Sequence, residues 1–330
     1  MPVTIAVVGA GFMGRVHAQS YHKGGLDSSV GWVVDADRER AAALARLLPG
    51  SPRATDSLAE ALADRNVQAV DVCVPTPLHR ACVLEAAAAG RHVICEKPMA
   101  PSLEDADAMI RACRERGVIF MVAHVLRFWP EYIAAVDLAK SGRIGKLLHI
   151  ACWRLSTPPA WSHQNWLRDA RLSGGAVRDM AIHDFDVIRW LAGDPASVAA
   201  AGEVNHFAAV LRLSGGVSAQ VESSFRMPEG FVFRMGLRVL GDRGLVEFDG
   251  AGGSLLVVEE GQKKTVPVAG SREFKQDGAS EALDGYFYEI QHFVDCVARG
   301  VPAQRGTPED GRAALAIAFE VEKSLARDAM

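Results

Sequence analysis

Along the first third of the chain, short apolar runs alternate with longer stretches whose apolar residues recur at helical spacing. Runs near 3–8, 30–35, 69–74, 92–95 and 118–122 are rich in Val and Ile and have the length of strands buried on both faces. Between them, near 12–22, 37–48, 57–63, 78–89 and 102–116, lie Ala-rich helical stretches. Ser102 stands where an N-cap belongs, with Asp105 three residues on, and Gly90 and Gly117 stop the helices before them. This alternation predicts a doubly wound parallel sheet with right-handed crossovers, an α/β unit whose ligands bind beyond the carboxyl ends of its strands.

After about residue 122 the pattern changes. A helix over Pro130–Lys140 leads through Ser141-Gly142 to a strand over Lys146–Arg154. A Trp- and Pro-rich loop runs to Gly175, followed by a helix from Val177 to Ala192. From 197 to 268, strand-like stretches are divided by turns at Ser214-Gly215-Gly216, Gly241-Asp242-Arg243-Gly244 and Gly250 to Ser254. Helices near 281–299 and 307–326 finish the chain. This half reads as an α+β domain on an open, largely antiparallel sheet with one covered face. The expected division is 1–122 and 123–330, the last helix packing back on the first domain.

With 330 residues, 49% of them hydrophobic and 23% charged, the chain can build two cores. A formal charge of −4 gives no reason to expect nucleic acid or an anionic membrane as partner. The first apolar run is too short for a signal peptide, and no stretch approaches a membrane span. The six cysteines form no C-x-x-C pair and several fall in apolar runs, which predicts buried free thiols, no structural zinc and a cytoplasmic setting.

Within this frame one motif stands out. Gly9-Ala10-Gly11-Phe12-Met13-Gly14 lies between the first strand and the first helix, and Asp35 ends the next apolar run, 21 residues after Gly14. Gly9 permits a tight turn, Gly11 lets backbone approach a pyrophosphate, and Gly14 lets helix and strand pack closely. The helix start attracts phosphates, and Asp35 can accept hydrogen bonds from ribose hydroxyls. These features predict a dinucleotide site in a Rossmann fold. A carboxylate about 4 Å from a 2′-phosphate repels it by up to ~4 kcal/mol per charge pair, which favours NAD over NADP. Arg38, three residues on, can soften that preference. Strand ends bring Val74, Pro75, Thr76, Glu96 and Lys97 to the same crevice.

Two further clusters carry candidate chemistry. Lys97 follows the strand His92–Cys95 and precedes Pro98, which restricts the backbone and admits a cis bond. It reads either as a crevice lysine near the nicotinamide position or as a solvated lysine paired with Glu96. Asp179 and His183 share one helix face at i and i+4, followed by Asp186 and Trp190. Ser173-Gly174-Gly175 before them would let the helix start press on another backbone. That face reads as a proton-exchange site or as an ordinary core-facing stripe, and a metal reading lacks a fourth ligand. Arg127, Trp153, Trp161, His163, Asn165, Trp166 and Arg168 add aromatic and polar groups suited to a sugar, though core packing serves the tryptophans equally. Tyr286 is a further candidate.

Together these motifs resemble the family named for glucose–fructose oxidoreductase, inositol dehydrogenase and the rhizopine-catabolism protein. The resemblance spans nearly the whole chain. It rests on the glycine turn, Val34-Asp35, Pro75-Thr76-Pro77-Leu78-His79, Glu96-Lys97-Pro98, His124 to Phe128, Asn165-Trp166 and the run Ser173 to Asp186. The last run is most similar to the polyol and inositol dehydrogenase branch. Two positions depart from the pattern: Val74, where Thr or Ser is common, and Ala123, where Gly often precedes the histidine. The resemblance implies an NAD-dependent dehydrogenase acting on a secondary alcohol of a cyclic polyol or sugar. Lys97 would be its active-site lysine, Asp179 its substrate-binding aspartate and His183 its proton-transfer histidine. Cofactor contacts would come from Gly9, Gly11, Phe12, Met13, Gly14, Asp35, Arg38, Val74, Pro75, Thr76, His79, Glu96 and Lys97. Substrate contacts would come from Lys97, Arg127, Trp153, Asn165, Trp166, Asp179 and His183, with no metal. A homodimer or homotetramer is expected from the open sheet. The rivals are an NAD-dependent glycoside hydrolase of the same family and a non-catalytic dinucleotide-binding sensor.

Overall fold

The computed structural model describes residues 2–160, 162–250, 253–270 and 284–328. They fall into two compact units: 1–125 with 161–164 and 285–312, and 126–160 with 165–284 and 313–330.

The first unit alternates β1 (Val3–Val8), α1 (Phe12–Ser20), β2 (Ser28–Val34), α2 (Arg38–Arg46), β3 (Arg53–Thr55), α3 (Leu58–Ala63), β4 (Ala69–Val72), α4 (His79–Ala88), β5 (His92–Glu96), α5 (Leu103–Glu115) and β6 (Phe120–Ala123). Its six strands pair in parallel in the order β3-β2-β1-β4-β5-β6, with the reversal between β1 and β4. Ile5, Val7, Val33, Val70, Val72 and Ile94 are fully buried in the sheet. The pattern of apolar runs misses β3, because Arg-Ala-Thr at the sheet edge has no apolar run to reveal it. The cap of α5 forms as the sequence indicates: Ser102 Oγ accepts the Asp105 N–H at 3.1 Å and donates to its carboxylate at 2.7 Å. Such a cap contributes about 1 kcal/mol.

The second unit opens with α6 (Pro130–Lys140) and β7 (Leu147–Leu155), followed by the short α7 (Ala170–Ser173). A π-helical turn over Ala176–Met180 precedes α8 (Ile182–Ala192). The remaining strands are β8 (Pro195–Glu203), β9 (His206–Leu213), β10 (Ser218–Ser224), β11 (Arg234–Gly241), β12 (Gly244–Phe248), β13 (Ser254–Glu259) and β14 (Gln262–Pro267). They form an eight-stranded sheet in the order β14-β13-β12-β11-β7-β10-β9-β8, antiparallel except for β7 beside β10. One face is covered. In β9, buried Phe207, Ala209, Leu211 and Leu213 alternate with exposed His206, Ala208, Val210 and Arg212.

Two helices close the chain, α9 (Gly285–Arg299) and α10 (Pro308–Asp328). The last helix, expected to pack back on the first domain, clusters beyond its first turn with the second unit, and the return to the first unit is made by the helix before it. All of α9 belongs there, packing on α1 and β1 through an apolar stripe that includes Phe287, Ile290, Phe293 and Val294. Of α10, only the first turn does, where Arg312 forms an ion pair with Asp107. Among the described residues no helix is long and apolar enough to cross a membrane, and the six cysteines are free thiols.

Candidate active site

In the first unit, the glycine turn is shaped by steric necessity. Gly9 has φ +104°, and a Cβ there would lie 2.5 Å from the Cys73 carbonyl oxygen. A Cβ on Gly14 would lie 1.7 Å from the Gly9 carbonyl oxygen, so only glycine lets α1 approach β1 this closely. Gly11 differs. It is the N-cap of α1, and a Cβ there would meet nothing within 4 Å. The first intrahelical bond is made by the Arg15 N–H, to the Gly11 carbonyl at 3.0 Å, so the N–H groups of Phe12, Met13 and Gly14 precede it, with no acidic side chain in the turn. Thr76 adds a buried hydroxyl that no protein group engages among the described residues. This cradle fits a dinucleotide diphosphate.

Asp35 follows the end of β2 and is largely buried. One oxygen accepts the Ala10 N–H at 2.8 Å and the other the Asp37 N–H at 2.9 Å. A carboxylate has four lone-pair positions, so capacity for ribose hydroxyls remains. The cation beside it is Arg40, with Nη2 at 2.5 Å, rather than Arg38. The helix start leaves Arg38 exposed and turns Arg40 back toward Asp35. His79 also takes a different place from a cofactor contact. Its ring is buried, with Nε2 2.8 Å from the Val74 carbonyl oxygen and Nδ1 3.3 Å from that of Met99. A neutral ring has one N–H, and the shorter contact, to the Val74 carbonyl, is the one that fastens the loop of Val74, Pro75 and Thr76. Burial holds its pKa below the ordinary histidine value.

Lys97 is half-buried at the end of β5, and the Lys97–Pro98 bond is cis. Glu96 is turned inward. Its Oε2 accepts the Lys97 N–H at 2.9 Å, and its Oε1 lies 3.2 Å from His17 Nε2. Burial works to raise the Glu96 pKa, but the His17 ring and Lys97 hold it below the usual carboxylate value. His17 and Asp71 were not singled out by the motif reading. The available signals were a histidine one turn beyond Gly14 and a carboxylate inside the apolar run of β4, which must find partners there.

In the second unit, Gly174 and Gly175 have φ +77° and +60°, and a Cβ on Gly175 would lie 2.8 Å from the Val204 carbonyl oxygen. The helix start therefore presses on the β8–β9 turn, where the Val177 N–H bonds to the same oxygen at 3.2 Å. The expected continuous helix is divided. Asp179 lies in the π turn and His183 in the first turn of α8. Asp179 is buried at 8% exposure, while His183 is half-buried. π turns of this kind re-aim side chains and recur at functional sites.

The other two acidic residues of this run are anchors. Asp184 accepts Arg154 Nη2 and Nε at 3.1 and 3.2 Å, and Asp186 accepts Arg127 Nε and Nη2 at 2.7 and 2.8 Å, all four side chains being buried. Burial works to lower the Arg154 pKa, but Asp184 overrides it and holds the guanidinium charged. Arg127 thus spends its fork on Asp186, with its guanidinium 5.7 Å from the Trp190 ring. Trp153 is a clear correction. Strand alternation sends its neighbour Arg154 to the helix-covered face, so Trp153 points to the opposite one, where its ring lies over Gly236 of β11. Asn165 is exposed with φ +54°, Trp166 is half-buried, and Arg168 donates to the Pro159 carbonyl at 2.7 Å. Trp161 and the His163 side chain lie outside the described residues. Tyr286 belongs to the first unit, its ring centroid 6.4 Å from that of His17.

Comparison with known proteins extends this picture. Residues 3–124 match the model of an oxidoreductase family with an NAD-binding Rossmann fold, and residues 132–247 match the GFO/IDH/MocA C-terminal domain. The chain is 31% identical to an inositol 2-dehydrogenase of Rhizobium meliloti, covering 99% of this chain and 98% of that protein. It is 29% identical to a myo-inositol 2-dehydrogenase of Thermotoga maritima, covering 97% and 96%. Among solved structures it is similar to GenD2 from gentamicin A biosynthesis in complex with NAD, with TM-score 0.83 and 28% identity over 99% of this chain and 95% of that one.

Proposed function

We infer the activity from membership: this chain belongs to the GFO/IDH/MocA family of oxidoreductases, whose first domain is an NAD-binding Rossmann fold. It is a dehydrogenase of that family, and its substrate in our reading is a secondary alcohol of a cyclic polyol or sugar, as for its inositol-oxidising relatives. The cofactor in this reading is NAD in preference to NADP: the Asp35 carboxylate after β2 suits ribose hydroxyls better than a 2′-phosphate, even with Arg40 beside it. The first 122 residues hold the dinucleotide. The part from 123 onward supplies the alcohol-binding groups and, through the outer sheet face that carries Trp153, Val210 and Leu240, the surface for a homodimer or homotetramer.

When bound, the nicotinamide ring supplies the hydride acceptor. The chain's own residues handle the proton and the charge. As hydride leaves the carbon, the hydroxyl must lose its proton, and an imidazole with an ordinary pKa near 6.5 exchanges protons readily at neutral pH. His183 has that task, and Asp179 orients the hydroxyl or the His183 ring. Lys97 stabilises the developing alkoxide and can share its proton. The observation that carries the reading is the separation of roles in the Asp179–Asp186 run. Asp184 and Asp186 are committed to buried arginines, so proton chemistry in this run falls to Asp179 and His183.

An NADH-fluorescence screen over inositols, hexoses, pentoses and sugar acids tests the activity. Lys97→Ala and His183→Ala should each lower kcat about 100-fold or more on the best substrate, with NAD binding intact. Near-normal turnover in either variant removes that residue from catalysis. Release of free sugar from an aryl glycoside without net NADH would replace oxidation by hydrolysis.

A further inference from the structure

Behind the Glu96-Lys97-Pro98 turn lies a buried polar chain that the proposed chemistry does not use. His17, on the inner face of α1, is fully buried between two carboxylates from neighbouring strands. Its Nδ1 lies 3.0 Å from Asp71 Oδ2, and its Nε2 lies 3.2 Å from Glu96 Oε1. The second contact is off the line of a good hydrogen bond and acts as an ion pair. Asp71 is held on its other sides as well. The Tyr21 hydroxyl donates to it at 3.0 Å and the Cys73 thiol at 3.2 Å. A neutral imidazole carries one N–H and would turn a lone pair on one of the two carboxylates, whereas an imidazolium satisfies both. The His17 pKa direction agrees. Burial works to lower it, but the Asp71 carboxylate outweighs burial and holds it well above the ordinary value.

We propose that His17 is a positioning residue for Lys97: its imidazolium joins Asp71 to Glu96, and Glu96, so fixed, holds the turn that presents Lys97. The two Glu96 oxygens are pulled to opposite sides, one by His17 and one by the Lys97 N–H, which selects one rotamer. Without His17 a buried carboxylate would lose its counter-ion, and the adjacent Lys97 ammonium would be the nearest replacement. His17 therefore supplies Glu96 with a buried counter-charge on the side away from Lys97. The inference rests on the reading that Lys97 serves hydride transfer.

The test compares His17→Gln, Glu96→Gln, the double variant and Lys97→Ala, all as full-length protein. His17→Gln should lower kcat 10-fold or more, with polyol KM and NAD affinity within threefold. The double variant should be no slower than the slower single, since both act through one path. In a Lys97→Ala background, His17→Gln should cause no further loss. Multiplying losses, or a His17→Gln kcat within twofold of the parent, would overturn the proposal. Normal turnover by Lys97→Ala would instead overturn the role of the lysine. Two readouts do not depend on turnover. Nitrogen NMR of the parent should show both His17 ring nitrogens protonated at pH 8, and a neutral ring overturns the proposal. Hydrogen exchange of the Lys97 amide should quicken about 10-fold in His17→Gln or, if that variant does not fold, in Glu96→Gln; an unchanged rate overturns it. Because His17, Asp71 and Cys73 cluster closely enough to hold a metal, elemental analysis is included. A stoichiometric metal lost in His17→Gln would overturn the ion-chain account.

Discussion

The two candidate regions, one in each unit, are built by different means. The dinucleotide cradle is largely backbone: a turn that only glycine can make, a helix start, and one carboxylate fastened to the Ala10 and Asp37 N–H groups. The region around Asp179 and His183 is set by charge. A π turn is pressed on Val204, and the flanking acids are tied down by Arg127 and Arg154. Backbone recognition suits a cofactor with a constant diphosphate. Side-chain anchoring lets one framework present different polar groups to different alcohols, because the anchors can stay while their neighbours change.

The sharpest way to break this contrast is to remove an anchor. Arg154→Met leaves Asp184 buried without its counter-ion and should cost about 3–5 kcal/mol, read as a shift in the urea unfolding midpoint. Arg154→Met with Asp184→Leu should recover much of that loss. If the single variant costs under about 1 kcal/mol, charge is not what holds this half together. The corresponding change in the cradle is smaller. Asp35→Ser should weaken NAD binding about 10-fold, roughly 1.4 kcal/mol, and narrow the gap between NAD and NADP in fluorescence titrations. A parent enzyme that binds both equally would remove Asp35 as the selecting group.

The smallest effect is the dependence of stability on pH. His17 binds its proton more tightly folded than unfolded, because its pKa is raised in the folded chain. Its contribution is therefore complete below the unfolded value near 6.5 and is lost as pH climbs from there through the folded value. The melting temperature should decline from pH 7 to 9 in the parent and less so in His17→Gln. A parallel decline in both would assign the trend to other groups.

Much of this was legible from residue order because it depends on local rules. Strand and helix alternation, the Ser102 cap, the glycine turn and the need for backbone contact at Gly175 each follow from neighbouring residues. β3 escaped because three edge residues have no buried face to pattern. The π turn escaped because i, i+4 spacing looks alike in a regular helix and in one with an inserted residue. Trp153 was misplaced because a strand residue's face is set by register, and Arg154 had the stronger claim to the helix side.

The amino-acid order by itself determined the two-part architecture, the family and the residue types available for hydride chemistry, since these reside in periodicity and short motifs. Only the tertiary structure decided which charge answers which: Arg40 rather than Arg38 at Asp35, Arg127 and Arg154 on Asp186 and Asp184, and His17 between Asp71 and Glu96. The reason is physical. A buried charge must meet an opposite one, and that partner stands wherever the fold brings it, up to 79 positions away for His17 and Glu96.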